Sequence, residues 1–486
     1  MEQNVIRQGR LGTLDERAAQ FISSMTTDEW LFRYDILVDI AHVAMLRRQS
    51  IINQTTYDAL ATALILIRER GYARLPQNVD DVHVAIETAL TKEVGAELGG
   101  WLHVGRSRND EVATCIRMAF RAELASLMHE ILELQDAVLR EARKNDTTIM
   151  PGFTHLQHAQ PTTLGHHLLA YHDALERDFQ RLLDCYDRTN QSPLGAAAFA
   201  STGFPLDRDF TASALGFAGV VEHSMDAVSA RDFVIEGLAA ISNLMVTLSR
   251  LAEELILWST TEFGYVELDD RFTSTSSIMP QKKNPDTLEL IRAKTGSVIA
   301  ALVAGLAILK ALPYSYNLDL QEITPHLRQA AATAIDSVRI ATGVLGTLEV
   351  NKDRLADMSA WGFTAATELA DTIVRTTHVP FRTAHTIVGE LARSDKRDVE
   401  SIDRVALKHI GKPLSALGLT REDIAEALAV DRNVERRDMQ GGPAVPEVRR
   451  MITSRRRQLR TKRRRLRRLQ NAPETVEQAL LRTSEL

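Results

Sequence analysis

Residues 112–145 read VATCIRMAFRAELASLMHEILELQDAVLREARKN, and the fold class follows from this stretch. Apolar side chains recur every three or four residues along it, which places them on one face of an α-helix. The stretch contains neither proline nor glycine, and the first break comes at Pro151 and Gly152. It therefore predicts one long amphipathic helix with a continuous apolar face formed by Val112, Ile116, Phe120, Leu124, Leu127, Ile131, Leu134 and Val138.

Four more stretches of comparable length carry the same pattern. Pro161 sits near the predicted first turn of one of them, where its missing N–H costs nothing, while Pro285 and Pro313 bound another. Helices this long cover their apolar faces by packing lengthwise, so the sequence predicts an all-α protein with a central bundle. The four stretches are residues 162–190, 230–260, 286–312 and 327–348.

Shorter helical patterns flank this bundle on both sides. We expect three parts: an N-terminal helical domain at 1–110, the bundle at 111–355, and a C-terminal helical domain with a basic tail at 356–486. Residues 298–309, VIAALVAGLAIL, show hardly any polar face. Such a helix needs burial on all sides, which predicts helices shared between subunits and hence an oligomer.

The bulk composition is that of a soluble globular protein. Of the 486 residues, 44% are hydrophobic and 25% charged, and aromatic residues make up only 5%, which favours helices over sheets. The two cysteines, Cys115 and Cys185, form neither a disulfide framework nor a CxxC metal motif. The polar N-terminus lacks a signal-peptide core, and no apolar run looks long and uncharged enough to span a membrane. These features predict a cytoplasmic protein.

The tail at 449–468 is strongly basic. Twelve of its 20 residues are Lys or Arg and none is acidic, which leaves 46 basic against 64 acidic side chains elsewhere. One interpretation is binding to nucleic acid or a membrane surface. The other is a peripheral helix lying against the acidic body of the protein, with Leu459, Leu466 and Leu469 at helical spacing. The second is favoured, because nothing else resembles a nucleic-acid-binding motif.

The segment 273–286, TSTSSIMPQKKNPD, carries the most distinctive chemistry. It places adjacent serines, two lysines and an asparagine on one short segment directly before a long apolar helix. A serine hydroxyl beside cations can lose its proton, and the same cations stabilise an anion on the substrate. The segment therefore predicts proton abstraction from a carbon next to a carboxylate.

Three other polar segments are weaker signals when taken singly. The first, WLHVGRSRNDE at 101–111, suits a carboxylate site at a helix N-terminus, but it also fits an ordinary helix cap made by Asn109 or Asp110. MPGFTHLQHAQP at 150–161 predicts a polar loop between two buried helices, with two histidines, Thr154 and glutamines crowded together. PYSYNLDLQEITPH at 313–326 is either a site segment or a polar turn between helices.

These segments resemble the argininosuccinate lyase branch of the aspartase/fumarase superfamily. SSIMPQKKN matches the superfamily motif, while HVGRSRND and THLQHAQP narrow the resemblance to that branch; it runs from about residue 28 to residue 447. The resemblance implies a homotetramer with a twenty-helix core, active sites built from three subunits, and release of fumarate from an N-substituted aspartate without metal or organic cofactor. It also implies a role in arginine biosynthesis.

The resemblance assigns roles to particular residues. Ser276 corresponds to the base, and Lys282 and Asn284 correspond to the clamp on the carboxylate that gains charge. Lys282 and the backbone amides around Ser277 and Ile278 are in addition expected to stabilise the ionised Ser276 oxygen. His155 corresponds to a histidine held by a glutamate, here Glu289, as proton donor or positioning group. The implied binding residues are Ser107, Arg108, Asn109 and Thr154 for the fumarate half, and Ser24, Asp81, Arg231, Tyr316 and Gln321 for the other half.

Three positions depart from the family pattern. Thr275 replaces a glycine before the serine pair, Ala230 replaces the aspartate of an Asp–Arg pair, and Thr324 stands where a lysine is common. Two of these changes fall where the leaving amine is expected. The sequence therefore leaves three functions open: cleavage of argininosuccinate, cleavage of another aminosuccinate such as a diamine disuccinate, and a catalytically silent structural role like that of the lens crystallins. The retained Ser276, Lys282, Asn284, His155 and Glu289 argue against the last.

Overall fold

The computed structural model describes residues 14–393 and 397–483, and within them the predicted all-α class is confirmed. Strands form only three two-stranded ribbons in these ranges. The helices are α1 (Glu16–Ile22), α2 (Glu29–Arg48), α3 (Gln54–Arg70), α4 (Val82–Val94), α5 (Ala96–Gly99), α6 (Arg108–Lys144), α7 (Leu164–Thr189), α8 (Arg208–Ala214), α9 (Ser224–Ser229), α10 (Asp232–Trp258), α11 (Asp286–Leu309), α12 (Ile323–Gly346), α13 (Lys352–Ala360), α14 (Ala366–Thr377), α15 (Phe381–Leu391), α16 (Val399–Ile410), α17 (Arg421–Leu428), α18 (Val430–Glu435) and α19 (Val445–Thr483). The strands are β1 (Ile149–Thr154), β2 (Gln157–Thr163), β3 (Val266–Glu267), β4 (Ser274–Thr275), β5 (Lys283–Asn284) and β6 (Glu349–Val350). Segment 1–13, on which the prediction of no signal peptide rests, lies outside the described residues.

The five predicted long helices are α6, α7, α10, α11 and α12, and their ends fall within four residues of the predicted ones. Helix α6 starts earlier than predicted because Ser107 and Asp110 form a capping box that draws the polar residues before Val112 into its first turn. Helix α12 also starts early, at Ile323. Pro325 then lies in its first turn, where a backbone N–H has no acceptor within the helix.

These five helices pack lengthwise around the main hydrophobic core. The apolar face predicted for α6 is buried there, with Phe120, Leu124 and Ile131 almost fully covered. Helix α10 crosses Phe120 at Gly237, where a Cβ atom would overlap the phenylalanine ring. Glycine is required at this position because the backbone of α10 approaches the ring that closely.

Segment 150–161 differs from its predicted loop. It forms a β-hairpin in which β1 and β2 are antiparallel, and Thr154 pairs with Gln157 across the tip. His155 and Leu156, the two tip residues, both have φ of +56°. This geometry matches a type I′ turn, whose twist suits a tight hairpin. Pro161 consequently lies in β2, and α7 begins after it with Thr163 as its N-cap, so the prediction of Pro161 in the first helical turn is wrong.

Helices α10 and α11 correct the prediction about membrane spans. Both are long and apolar enough to cross a membrane by length and composition alone, so the statement that no such run exists is wrong. Of the most apolar window in each helix, 56% is buried within the chain for α10 but only 28% for α11. Helix α11 exposes Leu290 (56%), Val303 (59%) and Leu306 (50%), so within one chain it is not buried on all sides as its sequence predicts.

A second, smaller core lies within the C-terminal part of the chain. Residues between Leu369 and Ala427, from helices α14 to α17, form this cluster. Helix α19 leaves it and packs along α6 and α7, where Val448, Ile452, Leu459 and Leu466 join the main core. The basic tail is therefore a peripheral helix against the body of the protein, as the favoured interpretation predicts. The division at residues 110 and 355 stays a prediction.

Candidate active site

One cavity of about 110 Å³ gathers most of the predicted substrate-binding residues. It opens between the start of α2, the N-termini of α4, α6 and α10, and the segment that precedes α12. Seven of the nine predicted binding residues line it, although they are spread over some 300 positions of the chain. They are Ser24, Asp81, Arg108, Asn109, Arg231, Tyr316 and Gln321.

The N-terminus of α6 holds two of these residues. Ser107 is its N-cap: the Ser107 hydroxyl accepts a hydrogen bond from the Asn109 N–H, and the Asp110 carboxylate accepts one from the Ser107 N–H. Asp110 also accepts bonds of 2.9 Å from the backbone amides of Gly195 and Ala197, which ties that turn to the site. The segment thus serves as both a helix cap and a site wall. Ser107 itself does not line the cavity, and its predicted binding role stays a prediction.

Asp81 and Arg108 form an ion pair on one wall of the cavity. Arg108 Nη1 lies 2.6 Å from Asp81 Oδ2, while the other Asp81 oxygen caps α4 by accepting a bond from the Val84 N–H. Burial lowers the pKa of Arg108, but Asp81 and Asp80 outweigh it, and the net shift is upward. Arg108 is therefore a fixed cation whose charge is already balanced on the protein side.

Arg231 is the cation of the cavity that lacks a counter-ion. Its guanidinium is buried and donates only to the carbonyl oxygens of Val228 and Ala230, at 3.3 and 2.9 Å. Its Nε has no hydrogen-bond partner, and no carboxylate of the described residues lies within ion-pair distance. Burial lowers the pKa of Arg231 to about 10, so it stays charged at neutral pH. A buried, unbalanced cation on a cavity wall suits an anionic group of a substrate.

Asp28 is a site residue absent from the predicted set. Its Oδ2 accepts hydrogen bonds from the Ser24 hydroxyl at 2.6 Å and from the Val82 N–H at 3.2 Å, and it lines the same cavity. Burial raises the pKa of Asp28 to about 6, against the lowering effect of these bonds. The sequence feature that could have identified Asp28 is its distance of four positions from Ser24, which places two polar side chains one helical turn apart directly before α2.

His83 also lines the cavity and joins a buried ionic network beneath it. His83 Nδ1 lies 2.9 Å from Asp35 Oδ2, and Arg106 contacts both Asp39 and, at 2.9 Å, Glu111. Burial lowers the pKa of His83, but Asp35 and Glu111 outweigh it and raise the value to about 10. The cluster of carboxylates has the spacing of a metal site, yet His83 and Arg106 already supply its positive charge. A divalent ion there would face two resident cations.

The predicted base lies outside this cavity, on the loop between β4 and β5. The Ser276 hydroxyl oxygen accepts hydrogen bonds from the backbone amides of Ile278 (3.3 Å) and Met279 (3.1 Å). The helping amides are thus Ile278 and Met279, one residue further along than predicted. Two N–H donors aimed at a serine oxygen favour its ionised form.

The lysines of this loop differ in their surroundings. Lys283 is paired with Glu267 and Asp270, at 3.1 and 2.7 Å, whereas Lys282 is exposed and has no acidic partner within the described residues. Asn284 approaches the Ser274 hydroxyl at 3.4 Å from the base of the loop. Lys282 is therefore the lysine left free to meet an anion, as its predicted role requires.

His155, Thr154 and Glu289 are exposed, and the structure does not bring them together within one chain. His155 and Thr154 project from the tip of the β1–β2 hairpin, while Glu289 lies on the first turn of α11. None of them, nor Ser276, Lys282 or Asn284, lines the cavity. A single chain therefore presents two half-sites: a cavity with binding residues, and exposed loops with the predicted catalytic residues.

Comparison with known proteins gives concordant results. The Lyase family model matches residues 11–300, and the argininosuccinate lyase C-terminal family model matches residues 363–435. The chain is 51% identical over 482 residues to the argininosuccinate lyase of Methanosarcina barkeri, which covers 99% of this chain and 98% of the relative. It is also 51% identical over 458 residues to the argininosuccinate lyase of Methanococcoides burtonii, and this alignment covers 94% of this chain and 93% of the relative.

The chain belongs to the argininosuccinate lyase family.

Solved structures agree with this membership. A crystal structure of EDDS lyase in complex with formate superposes with a TM-score of 0.86 at 31% identity, covering 98% of this chain and 96% of the other. A class II fumarase from Schistosoma mansoni shares the fold at a TM-score of 0.68 and 16% identity, covering 83% and 90%. The match to the Lyase family model confirms the superfamily assignment made from SSIMPQKKN.

The three departures from the argininosuccinate lyase pattern have structural counterparts. Thr275 lies in β4, where an extended backbone suits a β-branched residue, and its hydroxyl donates to the Lys282 carbonyl at 3.0 Å. This hydrogen bond therefore joins β4 to the residue before β5 at the base of the loop. Ala230 removes the carboxylate on the N-terminal side of Arg231, whose guanidinium pairs with no carboxylate of the described residues, and Thr324 lines the cavity with its side chain buried. Of these two positions only Thr324 lines the cavity, while Ala230 lies next to the lining residue Arg231.

Proposed function

We propose that this protein is a carbon–nitrogen lyase that cleaves argininosuccinate into arginine and fumarate. The observation that carries the proposal is the identity of about half of all residues with argininosuccinate lyases over nearly the whole chain. The cavity supports it, because it combines Asp28 and Asp81 with Arg231. The arginine half of the substrate carries both charge signs, and such a wall offers partners for both.

The reaction would begin at Ser276. Its ionised oxygen, stabilised by the amides of Ile278 and Met279, takes the proton from the carbon next to a substrate carboxylate. Lys282 and Asn284 would hold the carboxylate that gains negative charge. The electron pair then forms the double bond of fumarate while the carbon–nitrogen bond breaks, and the departing nitrogen takes up a proton. His155, with Glu289, would donate that proton or position the substrate.

The two half-sites suggest assembly from several subunits. We propose a homotetramer in which the cavity of one chain receives the hairpin tip and the Ser276 loop of others. The exposed apolar side chains of α11, among them Leu290 near its N-terminus and Val303 and Leu306 near its C-terminus, are what such packing would bury. We also propose a cytoplasmic location, since Cys115 and Cys185 are both free and buried.

Fumarate release from purified protein tests the activity directly. With argininosuccinate, we expect turnover that Ser276→Ala abolishes while Ser277→Ala, its neighbour on the same exposed loop, largely keeps it. Both variants should retain the size of the assembled wild type. A Ser276→Ala enzyme with near-normal rate would remove Ser276 from its role as base.

Subunit mixing tests the shared site. Ser276→Ala and Arg231→Gln alter opposite half-sites, so each alone should release little fumarate when argininosuccinate is held well below the KM of the Arg231→Gln variant. After the two variants are unfolded and refolded together, random assembly leaves both halves intact at about one quarter of the sites, and activity should recover to about that level. Absence of recovery in mixed oligomers, whose formation is checked by mass tags, would show that one chain supplies the whole site.

A second candidate, cleavage of another aminosuccinate, is favoured by one observation. Thr324 places an uncharged side chain in the cavity where the leaving amine would lie, Ala230 removes a carboxylate next to Arg231, and the EDDS lyase structure superposes over nearly the whole chain. The discriminating assay offers argininosuccinate and a diamine disuccinate in parallel. Fumarate from the second compound and none from the first would replace the proposed substrate while keeping the reaction type.

A further inference from the structure

Eleven of the twelve basic residues at 449–468 in helix α19 fall into two sets, and the twelfth, Arg450, pairs with Glu447 of the same helix. The inner set consists of five cations that pair with the body of the protein. Arg455, Lys462 and Arg463 are largely covered, while the two at the ends of the set are about half exposed. Each member of this set meets an acidic residue of α6, α7 or the segment that follows α6. The pairs are Arg449–Asp146 at 2.7 Å, Arg455–Asp173 at 2.6 Å, Lys462–Glu176, Arg463–Glu133 at 2.7 Å and Arg465–Asp187 at 3.5 Å.

The outer set is a stripe of six exposed arginines. At about 100° per residue they fall within an arc of about 120°, and at 1.5 Å rise per residue they extend over about 18 Å of the helix. No acidic residue of the described ranges lies within ion-pair distance of any of them. The members of this outer stripe are Arg456, Arg457, Arg460, Arg464, Arg467 and Arg468.

This arrangement differs from an ordinary solvated helix face. Neighbouring like charges three and four positions apart, such as Arg456, Arg460 and Arg464, destabilise a helix, and surface faces commonly mix both signs to avoid this. The stripe contains no acidic residue, although acidic side chains outnumber basic ones in the rest of the chain. All six positions carry arginine, whose planar guanidinium binds phosphate oxygens in a bidentate manner that lysine does not match.

The stripe fits a polyanion in solution better than a lipid surface. A helix that binds a membrane presents apolar side chains to it, and the apolar face of α19 is already buried against α6 and α7. We propose that the outer stripe binds the phosphate backbone of a nucleic acid. The chain shows no motif that would place this helix in a groove of a duplex, so we expect contacts to phosphates, and such contacts are independent of base sequence.

Salt-dependent binding by the full-length protein tests the proposal. Fluorescence anisotropy with a short, labelled, mixed-sequence single-stranded RNA should show affinity falling with salt. Six phosphate contacts give a slope of about −4 in a plot of log K against log salt, or about a 300-fold loss between 50 and 200 mM.

A matched pair of variants locates the surface. Replacing Arg456, Arg460, Arg464 and Arg467 by Gln should weaken binding at least 10-fold at 50 mM salt and reduce the slope by about 3. Gln is a good helix former, so α19 is retained, which circular dichroism checks. The control variant loses the same charge at exposed cations elsewhere, through replacement by Gln of Arg74, Lys352, Arg382 and Lys412. It should keep the wild-type affinity and slope.

Several results would overturn the proposal. One is no binding at 50 mM salt, and another is an equal loss of affinity in both variants. A third is binding of anionic phospholipid vesicles with none of the RNA, which would assign the stripe to a membrane. The last is a changed sedimentation coefficient for the stripe variant without RNA binding, which would make the stripe a contact between copies of this chain.

Discussion

Replacing Arg106 by Met should destabilise the protein more than the loss of most single charges. Arg106 is buried beneath the cavity and balances Asp39 and Glu111, the latter at 2.9 Å. At an effective dielectric constant of about 20, one such pair at a charge separation of about 4 Å is worth about 4 kcal/mol. Breaking a buried pair strands the remaining charge, and the expected loss in the free energy of unfolding is about 3–5 kcal/mol.

The pH dependence of this loss separates it from a packing defect. Without Arg106 the buried carboxyls lose their main stabilising cation, so their pKa values rise further; that of Asp39 is already raised by burial to about 7. A group with a raised pKa in the folded state contributes stability at low pH that disappears as pH rises. The penalty of Arg106→Met should therefore be larger at pH 8 than at pH 6.

Urea unfolding measures both effects, and the protein concentration is held fixed because the proposed assembly would make the midpoint depend on it. Arg70→Met is the control, since Arg70 pairs with Glu93 at the surface, and it should shift the midpoint little. A loss of less than about 1 kcal/mol for Arg106→Met, or an equal loss at both pH values, would refute the view that the network depends on this cation.

Three further outcomes are expected. The free energy of unfolding of the wild type should fall from pH 6 to pH 9, because the pKa of His83 is raised to about 10 in the folded protein. The stability that this shift provides is fully present below about pH 6.5 and is lost as the pH approaches 10. A urea midpoint that rises between pH 6 and pH 9 would contradict the assignment. Arg231→Met should raise KM about 10- to 100-fold, because it removes a charge-assisted contact with the substrate. It should not lower the urea midpoint, because the side chain that it removes is a buried cation without a counter-ion. An unchanged KM would exclude Arg231 from substrate binding. Gly237→Ala should lower the free energy of unfolding by about 1–3 kcal/mol, because the added Cβ overlaps the Phe120 ring. Gly389→Ala is the control: it has open space around it and should leave the thermal stability unchanged or raise it. Equal effects of the two substitutions would contradict the close approach of α10 to that ring.

The long helices were predictable because their signals are local. The absence of Pro and Gly from 112–145 and the period of its apolar residues depend only on neighbouring positions. The β1–β2 hairpin was not predicted, because its tip residues His155 and Leu156 take positive φ without the Asn-Gly or Asp-Gly pair that usually announces such a turn. The membrane criterion failed for α10 and α11 for a related reason: a core helix and a spanning helix share composition, and packing distinguishes them.

The candidate site, like the fold, was predictable only in part. The chemistry of TSTSSIMPQKKNPD could be read locally, and so could the family that its motifs indicate. Asp28 and His83 were missed, because their place beside Arg231 depends on contacts between residues some 150 to 200 positions apart. No local sequence pattern indicates that residues so far apart in the chain are in contact.

Sequence alone was thus sufficient for the long helices and the reaction type, since helical period and a serine–lysine loop are properties of adjacent residues. Tertiary structure decided which charges are balanced. Arg106 and Arg231 are both buried arginines, yet one meets two carboxylates and the other none among the described residues. Within α19, Lys462 is neutralised by Glu176 while Arg464 faces solvent. Ion pairing depends on the distance between remote groups, and only the folded chain sets that distance.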